Sequence, residues 1–582
     1  TPLAIALTLV PNAWVSLMLC VPVIGLSFGL FAFVPGLLQS ITPNQMRGQL
    51  GALFSLFNNV IGLMFGPTLV ALITDFVFKD PMALKYSSCL IVKGIDAIHS
   101  FPWVFHLKNM FYKFGREVKT APRPIGRRPL QWEDPVLAKN LEEAIKEAGS
   151  PVKLLWESQT PPSVVPRVVQ EFTNWRDEQL AWRRTAVLYD QCHHMADLNI
   201  KGPDALKLIR DLAVNSVEKF PVDMAKQFVA VNHDGYIIGD NILFHLEEDE
   251  YQAVGIPPSI NWMHYHAVTG GYDVRIWRDD NSAVRKGDPV NYRFQIQGPG
   301  AMDVIKEATG EEPPKLKFFY MTRFTIAGKT VRALRHGMAG EPGFEIWGPW
   351  EDKEAVHSAI LEAGEKHGLT QVGGRAYHTN ALESGWLPRP LPAIYTDERL
   401  ADYRRWLDEN AYETIAPLGG SFHSENVEDY YFTPYDLDYG RVVKFDHDFI
   451  GREALEKMVA DGVTEKRKKV TFVWNGDDTA AAYGSMFHPG PGAKFINLPM
   501  SLYDTFHSDR IEVDGKMVGQ STWCGYSANE RAMLSLGVID AAFAEPGSEG
   551  TLVWGEDTPS SKLQVEDHVQ VKIRATVQPA PL

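Results

Sequence analysis

The sequence has few cysteines and no block of like charges, and its first 46 residues contain no charged side chain. The four cysteines are widely separated and include no Cys-x-x-Cys pair. This usage argues against structural zinc and a disulfide framework, and it favours a reducing compartment. The net charge of −15 comes from interspersed acidic and basic residues. Such a distribution does not favour a nucleic-acid-binding protein and is typical of an acidic enzyme.

The uncharged N-terminus predicts two membrane-spanning helices. Residues 13–38 and 50–74 are apolar runs, each long enough to cross a hydrocarbon core of ~30 Å. A signal peptide fits poorly because no basic residue precedes the first run, and a buried hairpin of a globular domain is the alternative. Residues 1–80 resemble the last helices of a major facilitator transporter. They therefore form a predicted transmembrane-like α-helical hairpin, which fits both a genuine anchor and a fusion.

The rest of the chain divides into a linker and two folded parts. Residues 81–135 are rich in basic residues and proline, and they predict a linker attracted to anionic lipid. From residue 136 onwards helical and strand patterns mix, with an amphipathic helix predicted near residues 354–367. From residue 466 onwards, apolar and polar residues alternate between Asp-Gly and Pro-Gly turns. This pattern predicts a small antiparallel barrel or sandwich.

Two glycine-rich segments carry the most specific information. Residues 335–347 (RHGMAGEPGFEIW) place the carboxylate of Glu345 directly after a tight turn, and glycines let a planar ligand approach the main chain closely. Alone, this segment fits a surface hairpin equally well. The second segment is residues 373–386, GGRAYHTNALESGW. Together the two resemble the folate-binding core of the aminomethyltransferase (glycine-cleavage T-protein) family, closest to its tetrahydrofolate-dependent vanillate and syringate O-demethylases.

Further segments resemble the same family in the expected order along the chain. They are residues 190–195, 234–240, 295–301, 433–435, 443–455 and 514–522. The resemblance implies an α+β fold in which three subdomains form a cloverleaf-like disc around tetrahydrofolate. Residues 136–465 would then be the folate-binding domain, and residues 466–582 a C-terminal antiparallel β-barrel.

The resemblance also implies roles for individual residues. Glu345 falls where the family's glutamate pairs with the pterin ring, Tyr377 where the O-demethylases have their essential tyrosine, and His194 where they contact the aromatic substrate. Further cofactor-binding positions are Gln191, Trp386, Arg375 and Asp240. A tyrosine with its ordinary pKa of ~10 matches a phenol leaving group and can deliver the proton that the departing phenoxide needs.

Four positions depart from the family pattern at the reacting end of the site. Gly239 stands where aminomethyltransferases have the first of two aspartates, which disfavours aminomethyl transfer. Ser163 and Val165 replace two tyrosines of the vanillate enzyme, and Ile256 replaces an arginine that would pair with the substrate carboxylate. A more apolar substrate pocket follows, and it favours a bulkier methoxybenzoate such as syringate over vanillate.

The sequence therefore predicts a tetrahydrofolate-dependent O-demethylase that acts on a methoxylated aromatic acid such as syringate, vanillate or 3-O-methylgallate. An aminomethyltransferase or amine demethylase of the same fold and a non-catalytic folate-binding protein are the alternatives. No metal is expected, because the adjacent His193 and His194 have no third ligand at a suitable spacing. The need for reduced folate and the basic linker predict a cytoplasmic catalytic part, with membrane attachment through residues 1–80 left open.

Overall fold

The computed structural model describes residues 139–161, 167–557 and 562–582. None of the helices in these ranges is long and apolar enough to cross a membrane. The two predicted spans, at residues 13–38 and 50–74, lie outside the described residues. So do two predicted substrate-binding residues, Ser163 and Val165.

Thirteen α-helices and nineteen strands make up the described part. The helices are α1 Leu141–Ala148, α2 Pro151–Trp156, α3 Trp175–Arg184, α4 Ala205–Leu212, α5 Pro257–Thr269, α6 Ala301–Thr309, α7 Lys353–Gly364, α8 Gly374–Tyr377, α9 Asn380–Ser384, α10 Ala401–Trp406, α11 Tyr412–Ile415, α12 Arg452–Ala460 and α13 Gly476–Gly484. The strands are β1 Ala186–Asp190, β2 Ala196–Lys201, β3 Met224–Val231, β4 Ile237–Glu247, β5 Glu250–Gly255, β6 Arg275–Asp279, β7 Asn291–Gln297, β8 Met321–Ile326, β9 Lys329–Arg335, β10 Gly343–Pro349, β11 Leu369–Val372, β12 Leu418–Gly419, β13 Arg467–Trp474, β14 Phe506–His507, β15 Asp509–Val513, β16 Lys516–Ser527, β17 Ala532–Asp540, β18 Glu549–Trp554 and β19 Val571–Gln578.

Two mixed α/β layers and a barrel are built from these strands. One sheet has the order β11-β1-β7-β10-β9-β8, and a second has the order β3-β4-β5-β2-β6. Strands β13-β17-β16-β15-β18-β19 close into a six-stranded barrel. The predicted C-terminal antiparallel barrel is thereby confirmed.

Strand β7 shows why one face of the six-stranded sheet is polar. Its residues Tyr292, Phe294 and Ile296 point into a core that also contains Val304 of α6 and Val356 of α7. Because successive side chains of a strand point to opposite faces, Arg293, Gln295 and Gln297 face the other side. Helices α6 and α7 thus cover one face, and the opposite face is left with buried polar groups.

The link between β1 and β2 carries the chain from one sheet to the other. Strand β1 pairs with β7 in the six-stranded sheet, whereas β2 pairs with β5 and β6 in the five-stranded sheet. Residues 191–195 form this link, and the backbone N–H of Gln191 donates to the carbonyl of Arg293 at 2.9 Å. The segment that contains Gln191 and His194 is therefore anchored between the two sheets.

The helix predicted near residues 354–367 is present with slightly different bounds. It is helix α7 followed by a short 3-10 turn, Glu365–His367. Strand β4 continues through the polar Asp240 and Asn241, since both are paired in the sheet. His264 and His266 lie on helix α5.

The barrel offers a test of its packing at Gly537 on β17. A Cβ added there would lie 2.0 Å from the carbonyl oxygen of Gln520 and 2.7 Å from a ring carbon of Phe472. Gly537→Ala should therefore destabilise the protein by about 1–3 kcal/mol, in line with other overpacked cores. Thermal unfolding should show a lower midpoint. Gly476→Ala is the control, because a Cβ there meets nothing within 4 Å, and equal midpoints for the two variants would contradict this account.

Candidate active site

A channel of about 920 Å³ lies between the polar face of the six-stranded sheet and the five-stranded sheet. Seven of the ten predicted site residues line it: Gln191, His194, Asp240, Ile256, Glu345, Tyr377 and Trp386. These residues come from separate parts of the chain, and the fold brings them together in one channel.

Among the predicted site residues that the structure describes, Arg375 does not line the channel. It lies on the wall of an adjacent cavity of about 210 Å³. Its guanidinium pairs with Glu171 at 2.8 Å and donates to the carbonyl of Leu498 at 2.6 Å. The folate-binding role expected for Arg375 stays a prediction.

Tyr377, the last residue of α8, presents its hydroxyl to two polar side chains. The amide nitrogen of Gln191 donates to the Tyr377 oxygen at 3.0 Å, and His194 Nε2 lies 2.9 Å from the same oxygen. Burial lowers the pKa of His194 to about 4, so this imidazole is neutral at physiological pH. A neutral Nε2 without a proton is an acceptor, and the Tyr377 hydroxyl therefore donates to it.

Burial also changes Tyr377 itself. Removal of the hydroxyl from water raises its pKa above the ordinary value, since the phenolate would be poorly solvated. The hydrogen bond from Gln191 opposes this effect without reversing it. Tyr377 therefore holds its proton firmly, and the ring is fixed by edge contacts with His194 at 4.9 Å and Tyr189 at 5.4 Å between centroids.

Glu345 lies on β10, directly opposite Gln295 of β7, and its residue is only 2 % exposed. One carboxylate oxygen accepts a hydrogen bond from Arg293, and the other lies 3.8 Å from His336 Nδ1. Arg293 in turn lies 3.4 Å from a carboxylate oxygen of Asp197 and donates to Gln252 at 3.2 Å. Glu345 is thus a buried carboxylate held in place by a buried arginine.

Arg293 was missed by sequence reasoning, although a signal was present. The run Tyr292–Gln297 alternates aromatic or aliphatic residues with polar ones, which indicates a strand with one core face and one polar face. A charged residue on such a face, flanked by Gln295 and Gln297, indicates a buried polar site rather than solvent.

Asp240 on β4 forms a second buried polar group in the channel. Its carboxylate accepts hydrogen bonds from the Tyr439 hydroxyl at 2.9 Å, from Trp386 Nε1 at 3.1 Å and from Gln227. Burial raises the pKa of Asp240 to about 6, and the three hydrogen bonds limit that rise. Tyr439 carries no motif signal in the sequence, and only the fold brings it to Asp240.

Gly239 is packed against helix α5. A Cβ built there would lie 3.0 Å from the backbone nitrogen of Ser259 and 3.2 Å from its Cβ. A side chain at position 239 would therefore face Ser259 rather than the channel. In this chain the aspartate that reaches the channel from this strand is Asp240.

Cys192 and His193, beside the channel, make hydrogen bonds within the protein. Burial raises the pKa of the Cys192 thiol, and its sulfur accepts from the Arg293 backbone N–H at 3.2 Å. His193 Nδ1 lies 2.8 Å from the Ser282 hydroxyl. In the ranges that the structure describes, no group of three or more His, Cys, Asp or Glu side chains is arranged to hold a metal ion.

Comparison with known proteins places this fold and site in a family. Residues 141–388 match the family model of the GCVT N-terminal domain. The chain is 48 % identical over 447 residues to a syringate O-demethylase of Sphingobium sp., an alignment that covers 76 % of this chain and 96 % of that enzyme. It is 31 % identical over 412 residues to a sesamin methylene transferase of Sinomonas sp., covering 68 % and 88 % respectively.

More distant similarity extends to the aminomethyltransferases. The aminomethyltransferase of Streptomyces avermitilis is 28 % identical over 380 residues, which is 64 % of this chain and 84 % of that protein. With relatives at 48 % and 31 % identity over most of their lengths, the chain belongs to the GCVT aminomethyltransferase family. The family expected from the two glycine-rich segments is confirmed.

The raised pKa of Asp240 can be observed through Trp386, whose indole N–H donates to it. Between pH 5 and 7 the carboxyl should lose its proton, and the hydrogen bond from Trp386 then becomes charge-assisted and stronger. Tryptophan fluorescence should therefore change with a midpoint near pH 6.

Two variants identify the source of that transition. Asp240→Asn and Trp386→Phe should each remove the fluorescence transition near pH 6. Asparagine at position 240 cannot ionise, and without Trp386 no indole donates to Asp240. A transition that persists in Asp240→Asn would assign it to another group.

Proposed function

We propose that this protein is a tetrahydrofolate-dependent O-demethylase that transfers the methyl group of a methoxylated aromatic acid to tetrahydrofolate and releases the free phenol. The observation that carries the proposal is the Tyr377 hydroxyl, held between Gln191 and His194 on the wall of the channel. The identity of 48 % with a syringate O-demethylase over nearly the whole of that enzyme supports it and favours syringate among the methoxybenzoates.

The channel has the groups that a reduced pterin needs. A pterin presents N–H donors, and the channel wall holds the carboxylate of Glu345 together with the side chain of Gln191. Gln191 Oε1 is buried and has no hydrogen-bond partner among the described residues. Because an unpaired buried acceptor is costly, this position favours a bound ligand that donates.

The same channel has surfaces for the rest of the cofactor. Phe318 and Phe319 stack at 4.3 Å between centroids, and Phe319 stacks on His336 at 5.7 Å, which gives a flat aromatic wall. Basic side chains line the channel as well and suit the carboxylates of a folate tail; they are Lys226, Arg441, Lys444 and Lys469. The residues present therefore fit tetrahydrofolate.

In the proposed reaction the bond between the methyl carbon and the aryl oxygen breaks. Bound tetrahydrofolate would supply N5 as the nucleophile that takes the methyl group, with loss of the N5 proton. The aryl oxygen keeps the bonding electrons and needs one proton, so the reaction is balanced without an external acid. The task of the protein is to align the two partners and to stabilise the negative charge that develops on the aryl oxygen.

Tyr377 is placed to stabilise that charge. Its raised pKa makes complete proton transfer to a phenoxide unfavourable, since an ordinary phenol has a pKa of ~10. Tyr377 is therefore a hydrogen-bond donor to the developing phenoxide, and it can relay the proton that the nucleophile releases.

Gln191 and His194 would set the direction of the Tyr377 hydroxyl. Gln191 donates to the oxygen, and the neutral His194 accepts a hydrogen bond from the hydroxyl in the absence of substrate. When an aryl ether approaches, the hydroxyl can turn from His194 to the ether oxygen without breaking the bond from Gln191. His194 lines the channel and would there contact the substrate ring.

Aminomethyl transfer is less well supported for this chain. It would use an acid next to N5, and position 239 has no side chain and faces Ser259. Asp240 is available but already accepts three hydrogen bonds from the protein.

The proposal is tested with purified protein, tetrahydrofolate and a panel of substrates. Syringate, vanillate and 3-O-methylgallate should each give 5-methyltetrahydrofolate and the matching phenol in equal amounts, with syringate fastest. Liquid chromatography with mass detection measures both products. Sarcosine and dimethylglycine form the contrasting arm, and folate products from these amines but not from the aromatic acids would reverse the assignment.

Tyr377→Phe tests the role of the Tyr377 hydroxyl directly. The ring packing is kept while the donor is lost, so kcat should fall by about 10²–10⁴-fold, as for other lost proton donors. Tetrahydrofolate binding, measured by calorimetry, should be nearly unchanged. Tyr292→Phe is the matched control, because the Tyr292 hydroxyl is buried with no hydrogen-bond partner among the described residues. Full turnover by Tyr377→Phe would remove Tyr377 from the mechanism.

A further inference from the structure

The channel and the smaller cavity meet at a shared wall that contains one arginine. Five residues line both: His194, Tyr377, His378, Arg389 and Trp523. The smaller cavity is otherwise lined largely by apolar side chains, among them Val372, Leu498, Pro499, Met500 and Leu502. A single aromatic ring fits a space of about 210 Å³ with such walls.

Arg389 is half-buried at this junction, and no hydrogen bond or ion pair joins it to another side chain or carbonyl in the described ranges. Its guanidinium lies over the Trp523 ring, with 5.3 Å from the guanidinium carbon to the ring centroid. The other charged groups of the smaller cavity are paired: Arg375 with Glu171 at 2.8 Å, and Asp190 with Lys353 at 3.0 Å.

A half-buried guanidinium stacked on an indole and left without an anion is suited to bind one. Its planar fork matches a carboxylate through two parallel hydrogen bonds, and stacking on Trp523 orders the side chain before binding. The positive charge of Arg389 affects the pKa values of His194 and His378. Burial is the main cause of their lowered pKa values, and Arg389 lowers both further.

Position 256, where the vanillate enzyme has an arginine, offers no charged partner for the substrate carboxylate in this chain. Ile256 lines the channel and has no charge, although a carboxylate buried there would need a cation or several donors. Arg389 and the proposed donor Tyr377 both line the wall between the channel and the smaller cavity. A benzoate whose methoxy oxygen meets Tyr377 can extend its carboxylate along this wall.

We propose that Arg389 binds the carboxylate of the aromatic acid and so determines specificity for acids over neutral methoxyarenes. This inference rests on the proposed O-demethylase function. It assigns to position 389 the charge that position 256 lacks, through a residue of a different segment of the chain.

The test compares an acid with a neutral analogue of the same ring. Syringate and syringaldehyde are assayed with wild-type protein and Arg389→Gln at saturating tetrahydrofolate. In Arg389→Gln, kcat/KM for syringate should fall at least about 100-fold, which corresponds to ~2.7 kcal/mol, the order expected for a lost charged pair. For syringaldehyde it should change little, so the preference for the acid is lost. Arg389→Lys should recover part of it.

Two further measurements make the outcome specific. Arg176→Gln is the matched control: Arg176 also lies over a tryptophan ring, 4.9 Å from the centroid of Trp175, but lines neither the channel nor the smaller cavity, so the ratio of acid to aldehyde should stay at the wild-type value. Calorimetry of gallate binding to the folate-loaded protein should show weaker binding for Arg389→Gln, independently of turnover.

Different results separate this inference from the proposed function. An unchanged ratio of acid to aldehyde in Arg389→Gln, with active wild-type protein, overturns the role of Arg389 alone. A raised KM for tetrahydrofolate with an unchanged ratio overturns it in favour of a folate contact. Absence of methyl transfer from any methoxyarene in the wild type contradicts the proposed function itself.

Discussion

The buried ion pair between Arg293 and Glu345 is the constraint on which the rest of the site depends. Arg293 comes from β7 and Glu345 from β10, and Arg293 also reaches Asp197 on β2 of the other sheet. Both partners of the main pair are 2–3 % exposed. Loss of one partner from such a pair costs about 3–5 kcal/mol, because the remaining charge is buried without compensation. The pair therefore holds Glu345 in one orientation, and the contact of Arg293 with Asp197 joins the two sheets.

This constraint explains why the site is built around the link of residues 191–195. The Gln191 N–H is bonded to the carbonyl of Arg293, so the same residue that orients Glu345 also positions the segment that holds Tyr377. The cofactor end and the reacting end of the channel thus share one support. A displacement of β7 would move both, and the alignment on which methyl transfer relies would be lost at either end.

The sequence allows the family and seven of the channel residues to be predicted, because tight turns and their flanking residues are local features. Glu345, Tyr377, Gln191 and His194 lie in such segments, and the structure brings all four to one channel. The partners of these residues could not be predicted in the same way. Tyr439 reaches Asp240 from 199 positions away, and no periodicity in either segment indicates that contact. The alternation in β7 did carry information, and it indicates that a charged residue on the polar face of a buried strand belongs to a site.

The charges around Tyr377 bear on how the proposed site would accept an anionic substrate. In that proposal the Tyr377 hydroxyl donates to a neutral His194 until substrate binds, and burial keeps the pKa of that imidazole at about 4. A carboxylate that pairs with Arg389 removes part of the positive potential that lowers this pKa. Even a rise of ~2 units, which is ~2.7 kcal/mol of altered interaction, leaves His194 neutral near pH 7. A surface histidine with an ordinary pKa of ~6.5 would become protonated near pH 7 after the same rise in pKa. Burial prevents this at His194 because it sets the starting pKa lower. The apolar walls and the cation at Arg389 are therefore compatible. The walls keep Tyr377 protonated and His194 neutral, and Arg389 can bind an anion without changing either protonation state.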